Sequence, residues 1–182
     1  MANTKWTLDP MHSELGFKIK HLMITNVSGS FKNFNIEMDT KGEDLSTAQV
    51  RLTADLASIS TNNEQRDAHL RNGDFFDTDN FPQLEFRSTN VEDKGDENFT
   101  LVGDLILKGI SKPVRLNVEY SGVTKDPWGG ERAGFTVTGK IKRSDFGINF
   151  NAVLETGGVA LSDEVKINAD VQLVKHPAAV TA

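Results

Sequence analysis

The sequence predicts an all-β protein, an extended antiparallel barrel of eight strands with one short helix set between two of them. Three observations predict it. Apolar residues recur at every second position through most of the chain, which is the period of a strand with one buried and one solvated face. Clusters of Gly, Asp, Asn and Pro at 40–44, 93–98 and 125–130 separate these runs, the spacing of a β-barrel or sandwich. A single stretch, 62–76, breaks the alternation.

The strands follow in order. Ser13, Leu15, Phe17, Ile19 and His21 share a face, with Glu14, Lys18 and Lys20 on the other. Extended in both directions to about ten residues, this strand would span roughly 33 Å. Phe34, Ile36 and Met38 alternate with Asn35 and Glu37, and Ala48, Val50, Leu52, Ala54 and Leu56 with Gln49, Arg51, Thr53 and Asp55. Leu84 and Phe86 follow Pro82; Phe99, Leu101, Gly103, Leu105 and Leu107 share a face; Val114, Leu116, Val118 and Tyr120 share the next. Phe135, Val137, Gly139 and Ile141 precede the last run, Val165, Ile167, Ala169, Val171 and Leu173. Eight strands enclose an interior that side chains fill or that holds one small ligand. Long strands make that interior a tall, narrow tube, suited to a chain-shaped guest.

The exception, NNEQRDAHLRNGDFF, is rich in helix formers from Glu64 to Leu70. It reads as a short helix over 62–73, stopped near Asn72 and Gly73, where it can cover one end of the barrel. Arg66 and Leu70 share a face, and Asp67 and Arg71 are spaced for an ion pair. Arg66 and His69, three apart, can jointly meet an anion. Phe75, Phe76 and Phe81 follow closely, and either plug the barrel or line its mouth.

Composition narrows the function. The chain has 182 residues and a net charge of −6, with a pI near 5.2. It reads as one domain over 1–175 with a flexible tail over 176–182. An acidic balance argues against nucleic acid, which wants clustered Lys and Arg. There are no cysteines, which excludes disulfides, thiol catalysis and Cys-based metal sites. No apolar run approaches the length of a membrane-spanning helix. The opening MANTKWTLDP has no basic segment followed by an apolar stretch, so a cytoplasmic location is expected, or a periplasmic one for a chain trimmed to a mature form.

Little looks catalytic. In His12-Ser13-Glu14 the neighbours on a strand point to opposite faces, so His12 and Ser13 cannot easily pair. No GxSxG elbow or HExxH is present, and His12, His21, His69 and His176 are scattered. Asp145, Asp163 and Glu164 could supply an acid/base pair, but Ser162-Asp163-Glu164 reads as an ordinary turn before a strand. His21 points inward with Leu15, Phe17 and Ile19, either as a hydrogen-bonded core histidine or as a polar stop at one end of an apolar tube. No metal, cofactor or enzymatic activity is expected. The residues alone point to a lipocalin-like binding protein.

Five motifs then carry a resemblance. They are Trp6-x-Leu8-Asp9-x-x-His12-Ser13-x-Leu15-x-Phe17-x-Ile19-x-His21, Arg66-Asp67-x-His69-Leu70-Arg71 with Phe75 and Pro82-x-Leu84-x-Phe86, the run from Gly103 through Leu107-Lys108-Gly109 to Val114, Arg143-Ser144-Asp145-Phe146-Gly147, and Leu161-Ser162-Asp163-Glu164-Val165. In this order they resemble the YceI-like family, bacterial proteins that bind polyisoprenoids. The resemblance implies an extended lipocalin-like barrel, a carrier rather than an enzyme, and an isoprenoid lipid or quinone as partner. Phe17, Ile19, Phe75, Phe76, Phe86, Phe135 and Phe146 are then expected to line the apolar cavity. His12, His21, Arg66 and His69 are expected to meet a polar head, a polyprenyl phosphate or a quinone, at the mouth. Two other readings stand beside it. One is an enzyme on the same barrel using His12, His69 and Asp145. The other is a protein-interaction or stress-response module with a vestigial cavity. Transient membrane contact and a homodimer, through edge strands or the outward Val102 and Ile106, fit all of them.

Overall fold

The computed structural model describes residues 3–22, 24–151 and 160–176. Among the described residues, eleven strands form one antiparallel sheet: β1 (Asn3–Leu8), β2 (Glu14–His21), β3 (Thr25–Phe31), β4 (Phe34–Lys41), β5 (Asp44–Asp55), β6 (Ile59–Ser60), β7 (Gln83–Gly95), β8 (Asn98–Leu107), β9 (Ile110–Lys125), β10 (Glu131–Lys142) and β11 (Leu161–His176). The helix α1 (Glu64–Arg71) lies between β6 and β7. The sheet closes on itself because β1 pairs with β11.

The eleven segments make eight staves, the number expected. β1 and β2 lie end to end along β11, with Leu8 opposite Leu173 and Glu14 opposite Asp170. β3 and β4 lie end to end beside them, and β6 continues β5. The breaks have local causes. Pro10 and the Asp9 carboxylate, which accepts the Met11 N–H at 3.1 Å, turn the chain through Pro10–His12. That turn stops β2 at Glu14, so the expected ten-residue strand is two shorter ones in line. The other two staves bend together. Asn33 donates its N–H to the Ser58 hydroxyl at 3.0 Å, and its carbonyl accepts the Asp55 N–H at 2.9 Å.

Two strands escape the alternation. β3 turns Val27, Gly29 and Phe31 inward, and a glycine in the middle thins the apolar pattern. β1 is short, but its Trp6 is only 1% exposed. β11 reaches His176, opposite Lys5, one residue past the expected domain limit; residues 177–182 lie outside the described residues. β9 and β11, at 16 residues each, are the longest strands, roughly 50 Å of extended chain.

α1 starts where the Asn63 side chain accepts the Arg66 N–H at 3.0 Å and ends at Asn72. The expected Asp67–Arg71 pair does not form. Asp67 is buried and accepts the N–H and hydroxyl of Thr61 at 2.9 and 2.6 Å, so its charge is already satisfied by the residue that follows β6. Arg71 faces Glu64 at 4.0 Å instead. No helix among the described residues is long and apolar enough to cross a membrane.

Two apolar clusters divide the barrel. One, under α1, includes Phe31, Leu56, Phe75, Phe86 and Phe146. The other, towards the β9–β10 turn, includes Trp6, Met38, Ala133, Val171 and Leu173.

Candidate functional site

Between these clusters runs a cavity of about 520 Å³, lined by residues from both and from every stave. That is within the range of small-molecule pockets. The inward faces of the strands supply its wall because alternation puts every second side chain there. Phe17, Ile19, Phe75, Phe76, Phe86 and Phe135 all line it, as expected from the sequence. Two glycines make room for two of these rings. A β-carbon on Gly29 would lie 2.8 Å from Cε1 of Phe17, and one on Gly103 would lie 2.6 Å from Cζ of Phe86. Each ring therefore lies against the wall over a residue with no side chain.

The polar lining is confined to His21, Arg66, His69 and Arg143. All four are cationic or can become so, and among the described residues no acid joins them on the lining. They cluster at the α1 end. Arg66 donates from Nε and Nη2 to the Thr61 hydroxyl and carbonyl at 2.7 and 2.8 Å. The Thr61 hydroxyl in turn donates a hydrogen bond to Asp67 at 2.6 Å, so Arg66 meets its counter-charge through an intermediary. Nη1 of Arg66 makes no hydrogen bond among the described residues. His69 shares Nε2 with Asp74 at 2.9 Å, and its ring lies edge-on to Phe75 and Phe150, each with centroids at 5.0 Å. Its side chain is 41% exposed, so this end of the cavity opens to solvent.

Arg143 is the most buried of the four. It sits in the short turn Arg143–Phe146 after β10. Its three hydrogen bonds go to the carbonyls of Ser162, Ile148 and Phe150, at 3.0, 3.1 and 2.7 Å. All three acceptors are neutral. Burial pushes its guanidinium down from the usual arginine value, and only the Asp163 charge opposes this; an arginine nevertheless stays charged. The Asp163 carboxylate itself accepts from the Ser144 N–H and hydroxyl at 2.9 and 2.7 Å. The Ser144 hydroxyl, then its N–H with the charges of Arg143 and Lys142, holds Asp163 below the usual carboxylate range against the effect of burial. Among the described residues the Arg143 hydrogen bonds thus go to carbonyl dipoles, while its charge is opposed only by that of nearby Asp163.

Two expected site residues lie elsewhere. Phe146 is 1% exposed but packs in the cluster under α1 without reaching the lumen. The turn it ends carries it behind the wall. His12 lies outside the barrel, 68% exposed, with Nδ1 at 2.7 Å from Asp9; the Pro10–His12 turn carries it off the inward face. Ser13 is also committed, accepting from and donating to the backbone of Gln172. The sequence reading missed Phe31, Arg143, Ile148 and Phe150, all on the lining. Phe31 follows Val27 and Gly29 at strand spacing. Arg143 stood in a motif but carried no signal that it turns inward. Phe75 and Phe76 line the mouth, whereas Phe81 lies over Gly109 of the β8–β9 turn, off the lining.

The comparisons agree with this barrel. A family model described as a YceI-like domain matches residues 6–173. A UPF0312 protein of Staphylococcus aureus is 44% identical over 170 residues, 93% of this chain and 96% of its own. The crystal structure of a Campylobacter jejuni YCEI protein superposes with a TM-score of 0.76 at 35% identity, over 94% of this chain and 98% of that one. A polyisoprenoid binding domain from Saccharophagus degradans, 17% identical, shares the fold with a TM-score of 0.67 over 94% of this chain and 98% of its own. A family signature that runs almost from end to end, on the same closed barrel as a solved relative, makes this chain a member of the YceI-like domain family.

Proposed function

We propose that this protein is a non-catalytic carrier that holds an isoprenoid lipid in the barrel, with the prenyl chain in the lumen and a phosphate or quinone head at the α1 end. The observation that carries this reading is the cavity, about 520 Å³ and apolar except for four residues at one end. Burial of apolar surface is worth about 25 cal/mol per Å², so a long hydrocarbon guest gains its affinity from length rather than from a few exact contacts. A narrow tube also excludes compact guests of equal area. The Saccharophagus degradans neighbour, described as a polyisoprenoid binding domain, supports the same class of guest. Of the two heads, a phosphate matches the lining better: His21, Arg66, His69 and Arg143 offer N–H donors and positive charge, which strengthen hydrogen bonds to an anion.

The test is purification without detergent, solvent extraction and mass spectrometry of the co-purifying lipid. The protein is then titrated with geranylgeranyl monophosphate, geranylgeraniol and a quinone. A prenyl species in the extract, or a rise in Tm with added prenyl ligand, is expected. No lipid in the extract and no shift with any of the three would overturn the carrier reading.

A further inference from the structure

The outer wall beside the mouth carries a pattern that the cavity does not explain. In register across three strands, Lys140 of β10 lies opposite Lys166 of β11, and Lys166 opposite Lys18 of β2. Like charges facing each other across a sheet destabilise it, and the chain as a whole is acidic. Lys142 and Lys20 stand two residues further towards the mouth on the same outer face. All five lysines are exposed. Lys140 approaches Glu164 at 3.9 Å; Lys18, Lys20, Lys142 and Lys166 make no ion pair among the described residues. Further from the mouth the same strands turn acidic, with Glu14 opposite Asp170. Glu164, opposite Lys142, and its neighbour Asp163 stand within the patch at the open end, so the five lysines outnumber the acids there, and the wall is net positive at the open end.

The β2–β3 turn rises from this patch. Beyond His21, which lines the cavity, Leu22 is 40% exposed and Ile24 is 79% exposed. An exposed hairpin turn is ordinarily built from Gly, Asn, Asp or Ser. Here Leu22 even takes φ +55°, a left-handed conformation that Gly or Asn adopts more easily. Its N–H is held by the Ala160 carbonyl at 2.7 Å. Phe150, 39% exposed and packed against His69 and Phe75, adds a further exposed apolar side chain on the cavity lining.

We propose that this side of the mouth docks on an anionic membrane surface, with Leu22 and Ile24 entering the head-group region and the lysine row meeting the lipid phosphates. An apolar wedge flanked by lysines is the pattern of peripheral membrane attachment. A second copy would bring the same lysine row against itself, so charge favours lipid over self-association. The acidic residues on the α1 side, Glu64, Asp74 and Asp79, confine the contact to the β10–β11–β2 side and tilt the barrel. Docking itself is independent of the guest; its purpose, bringing the mouth to a bilayer that supplies or receives a lipid, rests on the carrier reading.

The experiment is co-sedimentation of the full chain with phosphatidylcholine vesicles, with and without phosphatidylglycerol, at low and high salt. About tenfold tighter binding to the phosphatidylglycerol vesicles is expected, weakening as salt rises. Lys18→Glu with Lys166→Glu, and separately Ile24→Asp, should each weaken it about tenfold. None of these residues lines the cavity, so both variants should keep the wild-type Tm and prenyl affinity, which shows that they are folded. Equal binding to both vesicle types, or variants that bind like wild type, would overturn the proposal. So would a dimer, or a complex with an acidic protein, that the lysine reversals disperse while wild type ignores vesicles. Vesicle binding without prenyl binding would sink the carrier reading and leave docking standing; prenyl binding without vesicle binding would do the reverse.

Discussion

The two ends of the barrel are built on opposite principles. At the end near the β9–β10 turn, polar groups are matched to one another. Trp6 donates its indole N–H to the Thr40 hydroxyl at 3.1 Å, and that hydroxyl donates to the Gly42 carbonyl at 2.7 Å. Arg132 joins Asp9 and Asp126, and Lys175 joins Glu43 and Glu131. At the α1 end, among the described residues, Arg143 hydrogen-bonds only to carbonyls, with Asp163 acting on it through charge alone, and Arg66 reaches Asp67 only through Thr61. Exposed leucine and isoleucine stand where polar turn residues would be ordinary. Charge satisfied within the fold supports stability, whereas charge and apolar surface left incomplete are open to a partner. The molecule separates the two along its axis.

Four measurements can break or sharpen that contrast. The largest effect is expected from Trp6→Ala. It removes a fully buried ring and its hydrogen bond, and should cost about 3–5 kcal/mol in urea denaturation. A cost below 1 kcal/mol would show that the packed end does not support the fold. Next is Phe76→Asp at the mouth, which should weaken prenyl binding about tenfold or more by placing a carboxylate in an apolar lining. The β-rich circular dichroism should stay intact. Unchanged affinity would remove this segment from the site.

The third concerns acid. Burial pushes the Asp9 carboxyl up, but the hydrogen bond and charge of His12, the Met11 N–H and Arg132 outweigh it and leave Asp9 below the usual carboxylate range. Asp126 is also low, chiefly through the Gly130 N–H and Arg132. A carboxylate depressed in the folded state contributes stability above its ordinary value, and this is lost as pH falls through the depressed one. Urea midpoints should therefore decline below about pH 4, and Asp9→Asn with Asp126→Asn should flatten that decline. An unaltered slope would show that the network does not couple to folding. The smallest effect belongs to Trp128. It is 86% exposed in the β9–β10 turn, so Trp128→Ser should change stability by no more than about 0.5 kcal/mol.

The sequence made the barrel legible because period-two alternation is a local signal. Phe99 to Leu107 or Val165 to Leu173 declare an inward face without reference to anything distant. The helix was legible for a similar reason, since Asn63 and Asn72 bracket a run of helix formers. What stayed hidden depends on where the chain leaves that period. Pro10 announces a break, but not that the break would carry His12 outside. Gly29 dilutes the pattern of β3, and so hid Phe31 on the lining. Arg143 and Phe150 follow β10 in irregular chain, where alternation no longer says which way a side chain points. Five of the cavity's expected aromatic lining residues, Phe17, Phe75, Phe76, Phe86 and Phe135, were recoverable because each stands within or beside a clear pattern.

The two phenylalanines laid over glycines carry a consequence for how such a tube changes over generations. The bore at Phe17 and Phe86 is held open by the hydrogen atoms of Gly29 and Gly103 on neighbouring strands. A side chain at Gly29 would swing the Phe17 ring into the lumen and throttle it at that height, with no substitution among the rings themselves, whereas one at Gly103 would also strike the Arg87 backbone carbonyl, so that position stays glycine. Guest length can therefore be retuned from the strand beside Phe17, by a position that contributes nothing visible to the lining.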